Sequence, residues 1–182
     1  MKRWLVFDTE TTGLTLPSAA ELKAQPKIIE LALAEIETRD AHAPVLMRER
    51  VWLIDPREPL TEEITKITGL KDSDLAGKPT FAEALPEIAA AFLGAHGLCA
   101  HNLPFDLAML VNELRRCGRE HAFPYPPEQL CTVAAFHHLK GRNLKLTELY
   151  EHSLGRPLAQ THRAADDVRA LAEVLLAEDA LS

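Results

Sequence analysis

Little in this sequence suits a secreted or membrane-bound protein. There are 3 cysteines (Cys99, Cys117 and Cys131), an odd number at irregular spacings, which argues against a disulfide framework. They form no Cys-x-x-Cys pair, and no His-Glu-x-x-His spacing occurs, so a zinc centre is not expected. The longest apolar stretch, Ile88 to Ala95, stops at His96-Gly97, well short of the roughly 20 residues that span a bilayer. After Met1-Lys2-Arg3 the apolar run Trp4-Leu5-Val6-Phe7 ends at Asp8, too short for the 7–15 apolar residues of a secretory signal. Positive charge is also scarce: 20 Lys+Arg face 27 Asp+Glu, a formal net charge of -7. That excludes a basic cloak for long duplex nucleic acid, although not a local site that reaches phosphate through metal ions. A Gly-x-Ser-x-Gly elbow and a phosphate-binding P-loop are both missing, which removes serine hydrolases and P-loop enzymes. These absences point to a soluble, cytoplasmic protein with no membrane partner.

What is present reads as an ordinary globular chain. Hydrophobic residues make up 47% and charged residues 26% of 182 positions, enough for one domain spanning 1–182 with a core needing no covalent staple. Trp4–Phe7 is a short apolar run flanked by charge, the pattern of a strand buried on both faces. Ile28–Ile36 predicts a second strand, with Ile29, Leu31 and Leu33 on one side and Ile28, Ala32, Ala34 and Ile36 on the other. Val45–Ile54 predicts a third, with Leu46, Arg48, Arg50 and Trp52 alternating against Val45, Met47, Glu49, Val51 and Leu53. Short polar connections join these into an antiparallel meander, and Thr15–Lys27, holding Pro17 and Pro26, reads as a surface loop. Further on, Phe81, Leu85, Ile88 and Phe92 recur at helical spacing after Pro79-Thr80. Leu98–Ala100 is a short strand, and Leu103, Leu107, Leu110 and Leu114 form a helical stripe with Pro104 in the first turn. Leu144–Tyr150 and about Arg163–Ala177 complete the helices. The expected fold is α/β, a mixed sheet flanked by α-helices.

Acids stand where a core should be. Asp8 and Glu10 follow the first strand at i and i+2, so both carboxylates share one face. Asp106 borders an apolar helical stripe with Met109 and Leu110. In Asp166-Asp167 the periodicity separates the two acids: Asp167 leads to Leu171 and Val174, whereas Asp166 leads to Arg169, Ala170 and Glu173 on the solvated face. Singly, each has a plain explanation: a polar turn for Asp8 and Glu10, favourable helix-dipole charge for Asp106, a capping residue for His162. Jointly, all four acids end inward-facing elements. Two carboxylates about 4 Å apart repel by roughly 4 kcal/mol at an effective dielectric of 20, so four need protons or a bound cation. An all-oxygen donor set favours Mg²⁺ or Mn²⁺, and two such ions are machinery for in-line attack at phosphorus.

Phe7-Asp8-Thr9-Glu10-Thr11-Thr12-Gly13-Leu14, His101-Asn102-Leu103-Pro104-Phe105-Asp106 and His162-Arg163-Ala164-Ala165-Asp166-Asp167 resemble the three motifs of the DEDDh (DnaQ-like) 3′-5′ exonucleases. Between them, Ile67-Thr68-Gly69-Leu70 also resembles that family, and the likeness runs from about Lys2 to Ala177. The resemblance implies a ribonuclease-H-like mixed five-stranded sheet, a three-strand antiparallel meander plus parallel strands. It implies Asp8, Glu10, Asp106 and Asp167 as ligands of two Mg²⁺ or Mn²⁺ ions and His162 as general base, a task suited to an imidazole near pKa 6.5. It implies that Thr11, Gly13, Leu14, His101, Asn102 and Phe105 hold the terminal nucleotide, with stacking tolerant of any base. The implied activity is metal-dependent hydrolysis of single-stranded or frayed DNA or RNA from its 3′ end, releasing nucleoside 5′-monophosphates. The Asp-Thr-Glu-Thr-Thr-Gly form is closer to the proofreading, DNA polymerase III epsilon-like members than to oligoribonucleases. Cys131-Thr132 departs from the Asp-Thr common in relatives, outside the four ligands. Basic residues for a phosphate strip are Lys140, Arg142 and Lys145, or Arg115, Arg116 and Arg119. A non-catalytic nucleic-acid or protein adaptor and a nuclease confined to short oligoribonucleotides are the alternatives, and a polymerase or homodimer partner is left open.

Overall fold

The computed structural model describes residues 1–17, 21–39, 42–159 and 162–181. Among these residues five strands form one sheet: β1 (Lys2–Thr11), β2 (Ile28–Arg39), β3 (His42–Leu53), β4 (Gly97–Ala100) and β5 (Glu128–Cys131), in the spatial order β3-β2-β1-β4-β5. β1, β2 and β3 are antiparallel neighbours, while β4 and β5 run parallel to β1. Among the described residues seven α-helices accompany them: α1 (Glu62–Thr68), α2 (Asp72–Leu75), α3 (Phe81–Phe92), α4 (Leu103–Arg116), α5 (Thr132–Ala135), α6 (Leu146–Leu154) and α7 (Ala164–Ala177). This is the mixed, helix-flanked sheet that the sequence predicts. No helix among the described residues is long and apolar enough to cross a membrane.

Two faces of the sheet carry separate cores. Leu5 and Phe7 of β1 and Leu31 and Leu33 of β2 pack with Ile88 and Phe92 of α3 and Met109 and Leu110 of α4. On the opposite face Trp4, Val6, Ala32, Ala34 and Ile36 pack beneath Val168, Leu171 and Val174 of α7 and Leu149 of α6. The period of two thus assigns β1 to both cores at once, as its uninterrupted apolar run requires. Gly97 lies opposite Trp4 in the β1–β4 register. A Cβ there would stand 2.3 Å from the indole ring, so the close approach of these strands depends on a glycine.

Several predicted boundaries shift, each for a local reason. β1 continues through Asp8 and Glu10 to Thr11, so the two acids lie within the strand and not after it. The predicted helix at Leu144–Tyr150 forms over Leu146–Leu154 and ends at Gly155, whose φ of 66° supplies the left-handed terminus. Strict alternation fails at both ends of the meander. An irregularity between Glu10 and Thr11 lets Ile28 join Leu31 and Leu33, while Ile29 turns under Leu70 and Leu75. In β3, Arg48 pairs with Glu35 and Leu46 with Ile36, leaving Met47 as an extra residue. Leu46 therefore packs on the α7 face, the face on which Glu49 meets Arg169 of α7 at 2.7 Å. The predicted loop over Thr15–Lys27 contains a 3-10 turn at Leu22–Ala24; its positions 18–20 lie outside the described residues.

Candidate functional site

The α7 face of β1 becomes acidic where its apolar run ends. Asp8 and Glu10 continue the Trp4–Val6 row, and the residues opposite them in β2 are Ala32 and Glu30. Asp167 belongs to the buried side of α7 and descends on them from above. One ligand atom each from Asp8, Glu10 and Asp167 lies within 4.8 Å of the others. Strand periodicity joins the first two, and helix periodicity adds the third.

Asp106 reaches the site from the other core. It sits in the first turn of α4 and is 2% exposed. Its Oδ1 accepts two hydrogen bonds from Thr9, one from the backbone N at 3.0 Å and one from Oγ1 at 2.8 Å. Thr9 stands between Asp8 and Glu10, so the fourth acid is tied to the strand that bears the first two. Asp106 is not a member of the 4.8 Å triad, yet its charge acts on both Asp8 and Glu10.

Such crowding works against ionisation. Burial first, then the charges of Asp106, Asp167, Glu10 and Glu30, push the Asp8 carboxyl well above the ordinary carboxylate range. Glu10 is pushed up to about 8, by burial and then by Asp167, Glu30 and Asp106, with Arg163 opposing. Asp106 rises to about 7 through burial, against the two bonds from Thr9. A cluster of oxygen donors that must hold protons near neutrality has the composition of a hard divalent-cation site. The described side chains fit such a group.

The remaining predicted residues stand in different surroundings. His162 is exposed, directly before Arg163 and α7, with a left-handed φ of 51°, a conformation that His tolerates better than most residues. Thr11 Oγ1 donates to the Gly13 carbonyl at 2.7 Å. Thr12 N donates to the Lys27 carbonyl at 2.8 Å, and Lys27 N returns a bond to Thr12 Oγ1 at 3.0 Å, so the segment between them leaves and re-enters the fold at one point. A Cβ on Gly13 would meet Pro26 at an ordinary 3.8 Å, so no packing demand accounts for that glycine. Leu14 is 80% exposed. Asn102 takes a left-handed φ of 73° at the start of α4, and Phe105 is half-buried against the α3–α4 core. His101 is committed inside the protein: Nε2 lies 3.0 Å from the Leu144 carbonyl and Nδ1 3.0 Å from Thr132 Oγ1. A carbonyl can only accept, so the ring is the Nε2–H tautomer, and the threonine hydroxyl donates to Nδ1. Burial lowers its pKa and keeps it neutral.

The basic residues are largely spoken for. Arg142 makes a two-pronged pair with Glu148, with Lys140 3.7 Å from the same carboxylate. Arg115 pairs likewise with Glu120. Arg116 donates to the carbonyls of Leu22, Gln25 and Pro26, which makes it a fastener for the loop after β1.

Sequence reasoning missed Glu30, Thr9 and Gln25. Glu30 is fully buried and bound to Arg163; an acid interrupting the apolar Ile28–Ala34 run is the signal that marks it. Thr9 has none, since its role is visible only once α4 docks. Gln25 is buried, and its side chain bonds Leu16 N, Leu16 O and Pro17 O, again a contact that no local pattern announces.

A family model described as exonuclease (RNase T) matches residues 5–175. The chain is 28% identical over 172 residues to the PolC-type DNA polymerase III of Clostridium perfringens, covering 94% of this chain and 11% of that one. It is 27% identical over 168 residues to the epsilon subunit of DNA polymerase III from Treponema pallidum, covering 92% of this chain and 72% of that one. Thus it spans about a ninth of the PolC-type relative and nearly three quarters of the epsilon subunit. Among solved structures, exonuclease X in complex with 5′ overhanging duplex DNA aligns with a TM-score of 0.62 at 21% identity, over 98% of this chain and 92% of that one, a likeness of fold.

Proposed function

The chain belongs to the RNase T exonuclease family, in its DnaQ-like DEDDh branch, and from that premise we propose that it hydrolyses nucleic acid stepwise from a free 3′ end, releasing nucleoside 5′-monophosphates. The observation that carries the proposal is the triad of Asp8, Glu10 and Asp167 with ligand atoms within 4.8 Å, joined electrostatically by Asp106.

Asp8, Glu10 and Asp167 would hold one divalent ion, and Asp106 with Asp8 a second. When bound, two Mg²⁺ or Mn²⁺ ions neutralise the charge that builds at the scissile phosphate and acidify the attacking water. His162, exposed at the rim and one residue from the α7 cap, takes the proton from that water. Leu14 and Phe105 present apolar surface to the terminal base, and Thr11, Gly13 and Asn102 surround its sugar with backbone and short side chains. The Gly13 position leaves the chain free to approach a nucleotide closely. His101, with both nitrogens occupied, supports the substrate pocket by fixing the β4–α4 junction against Thr132 and Leu144. With a net charge of -7, the protein relies on bound cations and not on a broad basic surface to attract phosphate. Single-stranded or frayed DNA ends are the preferred substrate, in keeping with the replicative polymerase relatives.

The test uses 5′-labelled single-stranded DNA, single-stranded RNA, a short oligoribonucleotide and a 3′-mismatched duplex, each incubated with the protein in Mn²⁺ or in EDTA. A ladder that shortens from the 3′ end in Mn²⁺, faster on DNA, and stops in EDTA is the expected result. Internal cleavage, or undiminished activity in EDTA, rejects the mechanism. Binding without cleavage favours the adaptor reading, and turnover of the short oligoribonucleotide alone favours the narrower nuclease.

A further inference from the structure

One carboxylate beside the triad takes no part in the chemistry outlined above. Glu30 lies opposite Glu10 in the β1–β2 register and is fully buried. Both of its oxygens are engaged by the start of α7. Oε1 accepts from Arg163 Nη2 at 2.8 Å, and Oε2 accepts from Arg163 Nε at 3.0 Å and from Ala164 N at 3.1 Å.

That arrangement replaces a normal helix cap. An N-cap side chain ordinarily accepts an N–H of the first turn, which an arginine cannot do. Arg163 occupies the N-cap position and makes no such bond. Its backbone carbonyl accepts from Asp166 N at 2.9 Å and Asp167 N at 3.0 Å, while the carboxylate that caps Ala164 comes from the sheet. The cost is electrostatic, since Glu30 adds its charge to those bearing on Asp8 and Glu10. An apolar residue would suit the strand and avoid that repulsion. What the acid supplies is a fixed connection between the strand facing Glu10 and the helix turn that carries Asp167, with His162 one residue away.

We propose that Glu30 and Arg163 form a positioning clamp that seats the first turn of α7 on β2, so that Asp167 meets Asp8 and Glu10 and the backbone at His162 is held in its left-handed conformation. The clamp rests on the reading of the triad as a divalent-cation site. Two-pronged geometry is the essential property, because a guanidinium matches a carboxylate with two parallel bonds where an ammonium offers a point charge.

Arg163→Lys separates position from charge. It keeps the cation beside the cluster, so an electrostatic role alone predicts unchanged Mn²⁺ binding, and a purely structural role predicts a lower melting temperature only. The clamp predicts Mn²⁺ affinity of the full chain, read by titration calorimetry without substrate, weaker by about 10–100-fold. It also predicts kcat on 5′-labelled single-stranded DNA lowered by a similar factor, with KM changed less than about threefold. Mn²⁺ affinity and kcat both within threefold of wild type overturn the clamp. If the lysine variant does not fold, the double variant E30Q/R163M, which removes both charges together and preserves net charge, carries the same expected and overturning results. A wild-type protein that binds Mn²⁺ but shortens no oligonucleotide rejects the nuclease reading while the calorimetric comparison still decides the clamp. A wild-type protein that binds no Mn²⁺ overturns both.

Discussion

Removing divalent ions should make this protein less stable as pH rises. The perturbation is a change from pH 5 to pH 8 in EDTA. In the folded chain Glu10 keeps its proton up to about pH 8 against 4.5 when exposed, and Asp106 up to about 7 against 3.8. Between those limits the folded state binds more protons than the unfolded one, so the unfolding free energy falls as pH rises through that window. Each pH unit of such a gap is worth about 1.4 kcal/mol. Protonating one carboxyl relieves its neighbours, and the cluster as a whole should therefore lose about 3–5 kcal/mol. For a chain of this size 1 kcal/mol moves the melting temperature by about 2–4 °C, giving a fall of roughly 6–20 °C. Differential scanning calorimetry at half-unit pH steps measures it. Mn²⁺ binds the ionised form, so added at about 100 times its dissociation constant it should restore about 2.7 kcal/mol, with the larger effect at pH 8. A melting temperature that stays level or climbs from pH 5 to 8 in EDTA refutes the account of the acids as mutually repelling.

Other perturbations address single residues. Asp167→Asn should reduce exonuclease turnover by at least about 100-fold, the scale of losing metal support, and raise metal-free stability at pH 8 because one repelling charge is gone; turnover near wild type in an oligonucleotide assay contradicts its assignment. His162→Gln should lower kcat by about 10²–10⁴, the usual worth of a general base, without weakening Mn²⁺ binding in calorimetry, and an equal loss of Mn²⁺ affinity would reassign His162 to the cation site. Gly97→Ala should destabilise by about 1–3 kcal/mol in urea denaturation, the cost of overpacking, because its Cβ would meet Trp4 at 2.3 Å; a neutral result would show that the β1–β4 approach is slack.

How much was legible beforehand depended on whether a residue's role is local. Asp8 and Glu10 were readable because strand periodicity alone puts them on one side, and Asp167 because helix periodicity alone separates it from Asp166. The meander was readable from the short apolar run at Trp4–Phe7 and the two longer runs at Ile28–Ile36 and Val45–Ile54. β5 was not delimited, since Glu128–Cys131 is four residues long with half its positions exposed. The Met47 bulge escaped because alternation across it continues unbroken in the sequence and only the partner strand reveals the extra residue. Glu30–Arg163 and Thr9–Asp106 span separations of 133 and 97 residues. Nothing local encodes such pairings, and they emerge only when helices dock on the sheet.

The reciprocal bonds between Thr12 and Lys27 fasten together the two ends of the connection from β1 to β2. Lengthening a closed loop is cheap, about 0.6 kcal/mol for each doubling, so the intervening stretch can be exchanged for a longer or differently charged one while the acids stay in place. Under the proposed function, choice of polymer would be separable from cutting power, and grafting between those two anchor points would be the natural route to retarget the protein.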